Sequence, residues 1–136
     1  PLCNRIYYEI PAEQIRLERE AMSTLEIFAG GRAAIVICTQ AMFERAGAKE
    51  EHAEKIVEKA RGIKGVEIAI FLKEKADGGI KASFRAKSFA NVEKIAAGFG
   101  GGGHERAAGC TLRTSMEEAI RLVKAAVEDS FKDCEV

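Results

Sequence analysis

Two stretches of this sequence carry residue types that could do chemistry, and they lie close together. Residues 99–110 read Phe-Gly-Gly-Gly-Gly-His-Glu-Arg-Ala-Ala-Gly-Cys. Glycine runs cost conformational entropy and pack no side chain, so a folded domain keeps one where backbone turns sharply or approaches a ligand. Gly100, Gly101, Gly102 and Gly103 would let successive N–H groups point at one spot. A short helical segment over 104–108 would add unpaired N-terminal N–H groups. His104 supplies a side-chain donor at the edge of this cradle and Arg106 a cation. The partner such a cradle suits is an anion, most often a phosphate. A mobile linker would have polar flanks; here residues 95–99 and 107–110 are small and apolar.

The second stretch is 80–87, Ile-Lys-Ala-Ser-Phe-Arg-Ala-Lys. Its strict alternation puts Lys81, Ser83, Arg85 and Lys87 on one face of a strand and Ile80, Ala82, Phe84 and Ala86 on the other. Arg85 could grip a phosphate with two parallel N–H donors, Lys87 would add a point charge, and Ser83 a hydroxyl. A basic strand also serves simply to discourage edge pairing, but one short helix separates this strand from the glycine run, which favours a shared site. The remaining chemistry is sparse. The two histidines, His52 and His104, are far apart, and His52 sits among charges as a surface residue would. No Walker-type lysine follows the glycines, and no serine or cysteine has a clear local base. These residues support binding an anion rather than hydrolysing it.

The elements that must hold these stretches follow from periodicity. With 136 residues, 47% hydrophobic and 31% charged, the chain reads as one soluble domain. Leu17, Ala21, Leu25 and Phe28 mark one face of a helix over 12–29, with Pro11 in its first turn and Gly30-Gly31 as its stop. The apolar run 32–39 fits a strand covered on both faces. Residues 40–46 and 51–61 read as helices stopped by Gly47 and Gly62. Residues 66–73 form the second strong strand, joined to 80–87 by an Asp77-Gly78 turn. Asn91 caps a short helix over 92–97. Residues 111–113 are a short strand, and Ser115 with Glu118 forms a capping box for the last helix. The fold class expected is α/β (α+β), a mixed β-sheet of about five strands covered by helices and preceded by a linker helix. Residues 1–10 read as a residual interdomain connection and 11–136 as the domain.

Bulk charge narrows the function classes. Lys+Arg and Asp+Glu both number 21, whereas a non-specific nucleic-acid binder is usually basic overall. From Lys81 to Arg113, however, six basic residues face only Glu93 and Glu105, a local excess of four. Such a field suits a small anionic ligand. No transmembrane-length apolar run or signal peptide is visible, so the expected localisation is cytoplasmic, with no membrane partner. Cys3, Cys38, Cys110 and Cys134 form no close pair, which suggests reduced thiols. The chain starts at Pro1 rather than Met, as a fragment would.

Gly101-Gly102-Gly103-His104-Glu105-Arg106-Ala107-Ala108-Gly109 resembles the Gly-Gly-Gly-His-x-x-Ala-Ala-Gly signature of the DHH-associated domain, the C-terminal half of DHH-family phosphoesterases. Ser83-Phe84-Arg85-Ala86-Lys87 is similar to the family's Ser-x-Arg-Ser-Lys strand, with Ala86 replacing the second serine. Asn91-Val92 and Ile95-Ala96 match its following helix. Ala46-Gly47-Ala48 and residues 65–69 resemble the oligoribonuclease and adenosine-bisphosphate (pAp) phosphatase branch. The resemblance implies the substrate-binding domain of a manganese-dependent phosphoesterase that hydrolyses short oligoribonucleotides or pAp. It implies no cofactor on this fragment and manganese in a missing N-terminal DHH domain. Phosphate would be held by Ser83, Arg85, Gly101, Gly102, Gly103 and His104, with Lys87 and Arg106 nearby. Expected partners are short RNA or a mononucleotide bisphosphate and the DHH domain; a homodimer stays open. A RecJ-like single-strand exonuclease, a cyclic-dinucleotide phosphodiesterase and a stand-alone nucleic-acid or tRNA-binding module are the competing readings.

Overall fold

The structure, a computed structural model, describes residues 9–134, so most of the connection expected over 1–10 lies outside the described residues. In chain order the elements are α1 (Ala12–Met22), β1 (Glu26–Phe28), β2 (Ala33–Cys38), α2 (Gln40–Ala46), α3 (Ile56–Arg61), β3 (Ile68–Glu74), β4 (Ile80–Ala86), α4 (Val92–Ala97), β5 (Gly102–His104), β6 (Ala107–Leu112) and α5 (Met116–Cys134). The strands form one mixed sheet in the order β1-β2-β3-β4-β6-β5. Among the described strands only β2 and β3 run parallel, as a crossover through two helices allows.

Helices cover both faces of the sheet. Ala34, Val36, Cys38, Ala69 and Phe71 pack under α1, α2 and α3. Ala33, Ile35, Ile70, Leu72, Phe84 and Cys110 pack under α4 and α5. The unbroken apolar run of β2 is therefore buried on both sides, as its sequence requires. Phe84 is fully buried. Burying such a side chain is worth about 3 kcal/mol, and a one-residue slip would lose it. That burial fixes the phase of β4 and turns Ser83 and Arg85 to the opposite face.

Caps stop several helices where the sequence places them. The Thr39 hydroxyl accepts the Met42 N–H ahead of α2, and Asn91 Oδ1 accepts the Glu93 and Lys94 N–H groups at the start of α4. Gly47, with a φ of 66°, ends α2.

Three expectations are corrected. The helix expected over 12–29 ends at Met22: the Ser23 and Thr24 hydroxyls donate to the Glu20 and Ala21 carbonyls, which competes with continuing the helix. Thr24 Oγ1 also accepts the Ile37 N–H, and Glu26–Phe28 becomes an edge strand on β2. Leu25 and Phe28 fit helical spacing but belong to this turn and strand. Residues 51–61 are not one helix. A single 3-10 turn, Glu50–Ala53, precedes α3, and His52 Nδ1 accepts the Lys49 N–H across it. The helical segment expected over 104–108 is instead a hairpin: β5 pairs with β6 around Glu105 and Arg106.

Candidate functional site

That hairpin decides the geometry of the glycine run. The Gly100 and Gly101 N–H groups are committed to the Ala97 and Ala96 carbonyls at the end of α4, at 3.0 and 2.9 Å. They cap a helix rather than cradle an anion. Gly101 is needed for close packing, since a Cβ there would lie 2.1 Å from the Gly109 carbonyl oxygen. Gly103 has a φ of 148°, and a Cβ there would lie 2.6 Å from the Ala107 oxygen. Gly102 faces open space. As the outermost strand, β5 pairs on one side only, so alternate backbone groups of Gly102–His104 face solvent.

Register then brings the two stretches together. Arg85 of β4 pairs with Ala107 of β6, which pairs with His104 of β5. In the neighbouring row Ser83 pairs with Gly109, which pairs with Gly102. Directly paired residues project to the same face. Ser83, Arg85, Gly102 and His104 thus share a surface, and the intervening strand adds nothing larger than a methyl group to its floor. Two strand spacings separate Arg85 from His104, about 10 Å between Cα atoms, a gap that an arginine side chain and a bound oxyanion can span.

Arg85 is half-buried and held on the protein side. Its Nε lies 3.3 Å from Glu58 Oε1 of α3, and an Nη1 hydrogen bond reaches the Phe84 carbonyl at 3.0 Å. Glu58 also pairs with Arg61. Ser83 and Arg85 line a cleft of about 320 Å³ between the sheet and the 50–57 segment.

Two of the sequence-predicted residues point elsewhere. Lys87 lies just past β4, and its Nζ donates to the Ile63 carbonyl at 3.1 Å. Arg106, in the hairpin turn, donates from Nη1 to the Ala90 carbonyl at 2.7 Å, towards the α4–α5 side of the sheet. Both cations hold loops in this state, and neither joins the Ser83–Arg85–His104 face.

One residue that orders the site gives no sequence signal beyond an acid in an apolar run. Among the described residues Glu67 is the buried acid, 6% exposed. Its carboxylate accepts the N–H groups of Ser88, Phe89 and Ala90 and the Ser88 hydroxyl, all within 2.8–2.9 Å. Burial pushes its pKa up, but these hydrogen bonds outweigh burial and hold it below the ordinary carboxylate value. Glu67 thereby fixes the 88–90 turn that carries the chain from Arg85 into α4. Cys38 and Cys110 are buried free thiols, and burial, with the Glu20 charge adding to it, pushes the Cys38 thiol up to about 12. Burial pushes the Cys110 thiol up as well.

Residues 30–133 match the DHHA1 domain family. The chain belongs to that family. The match covers the whole face just described, with both strands and the glycine–histidine hairpin. The DHHA1 chain is 32% identical over 131 residues to the bifunctional oligoribonuclease and PAP phosphatase NrnA of Thermus thermophilus, covering 96% of this chain and 38% of that protein. It superposes on an exopolyphosphatase-related protein from Bacteroides fragilis with a TM-score of 0.84 and 26% identity, covering 91% of this chain and 36% of the other. The pGpG-specific phosphodiesterase PggH from Vibrio cholerae shares the fold at a TM-score of 0.57 and 14% identity, with 89% and 40% covered. The DHHA1 chain therefore spans about two fifths of the length of these relatives. Among its described residues no helix is long and apolar enough to cross a membrane.

Proposed function

We propose that this DHHA1 domain is the substrate-binding half of a phosphoesterase and holds a phosphate of a short oligoribonucleotide or of pAp between β4 and β5. The observation that carries the reading is the shared row: Arg85 and His104 flank Ala107 on one sheet face, beside Ser83 and Gly102. Arg85 supplies charge-assisted N–H donors, Ser83 a hydroxyl, His104 a ring N–H, and the edge of β5 its outward backbone groups. The identity to NrnA over nearly the whole chain supports the substrate class.

These residues bind and orient. No group of three His, Cys, Asp or Glu side chains among the described residues is placed to hold a metal ion. The donor set of this face does not fit manganese. In this reading the metal belongs to a DHH domain that faces the Ser83–Arg85–His104 surface in a cytoplasmic protein. Attack on the phosphate takes place there, while this domain fixes the phosphate's position.

Titration of pAp and of a 5′-phosphorylated dinucleotide into wild type and Arg85→Ala, followed by calorimetry, tests the assignment. The variant should bind at least tenfold more weakly, as loss of a charge-assisted bidentate contact requires. Equal affinity would rule the site out.

A further inference from the structure

Beside Ser83 and Arg85, the same face carries an arrangement that phosphate binding at those two residues does not use. Lys73 of β3 and Lys81 of β4 stand directly opposite each other in the antiparallel pair. Like charges in that position destabilise a sheet. The Lys73 side chain is only 14% exposed, and its ion-pair partner is Glu50, 3.8 Å away and 64% exposed. Among the described residues the Lys81 side chain makes no hydrogen bond or ion pair. Both lysines line the cleft that Ser83 and Arg85 line, with Glu50 and Glu54 opposite. A mostly buried cation whose counter-ion is largely exposed to solvent, facing a second cation with none, leaves room for further negative charge.

Spacing indicates what would fill it. Lys81, Ser83 and Arg85 follow one another at two-residue steps on one face, about 7 Å apart, the scale of one step along a nucleic-acid backbone. We propose that Lys73 and Lys81 form a second phosphate subsite, one nucleotide from the subsite at Ser83 and Arg85. The cleft then takes the backbone of a ligand with two or more phosphates, and Glu50 is the counter-ion that the second phosphate displaces. This inference rests on the reading of Ser83 and Arg85 given above.

The test compares adenosine 5′-monophosphate, with one phosphate, and 5′-phosphorylated diadenylate, with two, by calorimetry at low ionic strength. Lys81→Gln should weaken the diadenylate five- to tenfold and the monophosphate less than twofold. Glu50→Gln should tighten the diadenylate two- to threefold, a gain that a misfolded variant cannot imitate. Arg85→Gln should weaken both ligands. If Lys81→Gln leaves the diadenylate within twofold, or weakens both ligands equally, the second subsite is wrong, and so it is if Glu50→Gln fails to tighten binding. Should Arg85→Gln still weaken both ligands in that case, the first subsite stands alone. No change with Arg85→Gln, or no binding by wild type, overturns both.

Discussion

Arg85 and His104 stand in one row of the sheet, two strands apart, with only the Ala107 methyl group between them. The relationship comes from three separate choices. Phe84 buries on the α4–α5 side and turns Arg85 to the opposite face. The Glu105–Arg106 turn closes β5 onto β6 in a register that pairs His104 with Ala107. Small residues at 107 and 109 keep the floor open. A sheet face with donors on two strands and bare backbone between them suits a multiply charged oxyanion such as a phosphate.

Gly101, Gly102 and Gly103 should respond differently to alanine. A Cβ at Gly101 would meet the Gly109 oxygen at 2.1 Å, and at Gly103 the Ala107 oxygen at 2.6 Å with a φ of 148°. Either substitution must move β5 off β6, and urea denaturation should show a loss of about 2 kcal/mol or more, the range for overpacking, to which a strained φ adds at Gly103. Gly102→Ala has open space and should stay within about 0.5 kcal/mol of wild type, as ordinary surface substitutions do. Equal losses at all three positions would contradict the hairpin.

Glu67 should make stability depend on acid pH. Its pKa in the folded state lies below that of the unfolded chain, so the unfolded state takes up a proton first. The carboxylate's contribution is complete above the unfolded value, near 4.3, and disappears as pH falls through the folded value. Glu67→Gln removes the charge from four hydrogen bonds and should cost about 2–3 kcal/mol at pH 7. The gap between variant and wild type should narrow below pH 4 when unfolding free energies are measured along a pH series. A gap that stays constant across that series would assign the loss to packing rather than to charge.

Much of the site was legible because alternation and caps are local. The pattern of 80–87 alone separates Ser83 and Arg85 from Phe84, and Asn91 marks the start of α4. The role of the glycine run was not legible in the same way. Glycines carry no periodicity, so 100–104 could be read as a helix cradle, whereas hydrogen bonds to the Ala96 and Ala97 carbonyls and pairing with β6 make it a helix stop and an edge strand. Lys87 and Arg106 are cations next to the motif, but their directions depend on which carbonyl lies within reach, Ile63 or Ala90. Glu67 looked like an ordinary residue of a strand because its partners lie 21 to 23 positions away.

Glu58 should restrain anion binding at Arg85. Its carboxylate lies 3.3 Å from Arg85 Nε. A unit charge about 6 Å from a bound phosphate repels it by roughly 1–3 kcal/mol at the effective dielectric of a protein surface. Its value in orienting Arg85 is that of a part-exposed pair, about 0–1 kcal/mol. Repulsion wins, so Glu58→Gln should tighten pAp binding several-fold at low salt, with the gain shrinking as salt rises. Weaker binding by this variant would show that Arg85 depends on Glu58 for its position.

The most direct measurement is a titration of pAp into isotope-labelled protein, followed by amide and side-chain NMR shifts. The account predicts that Ser83, Arg85, Gly102, Gly103 and His104 amides and the Arg85 Nε–H shift together with one dissociation constant. Saturable shifts confined to the α4–α5 groove around Lys94 and Ser130, with the β4–β5 face unmoved, would contradict it.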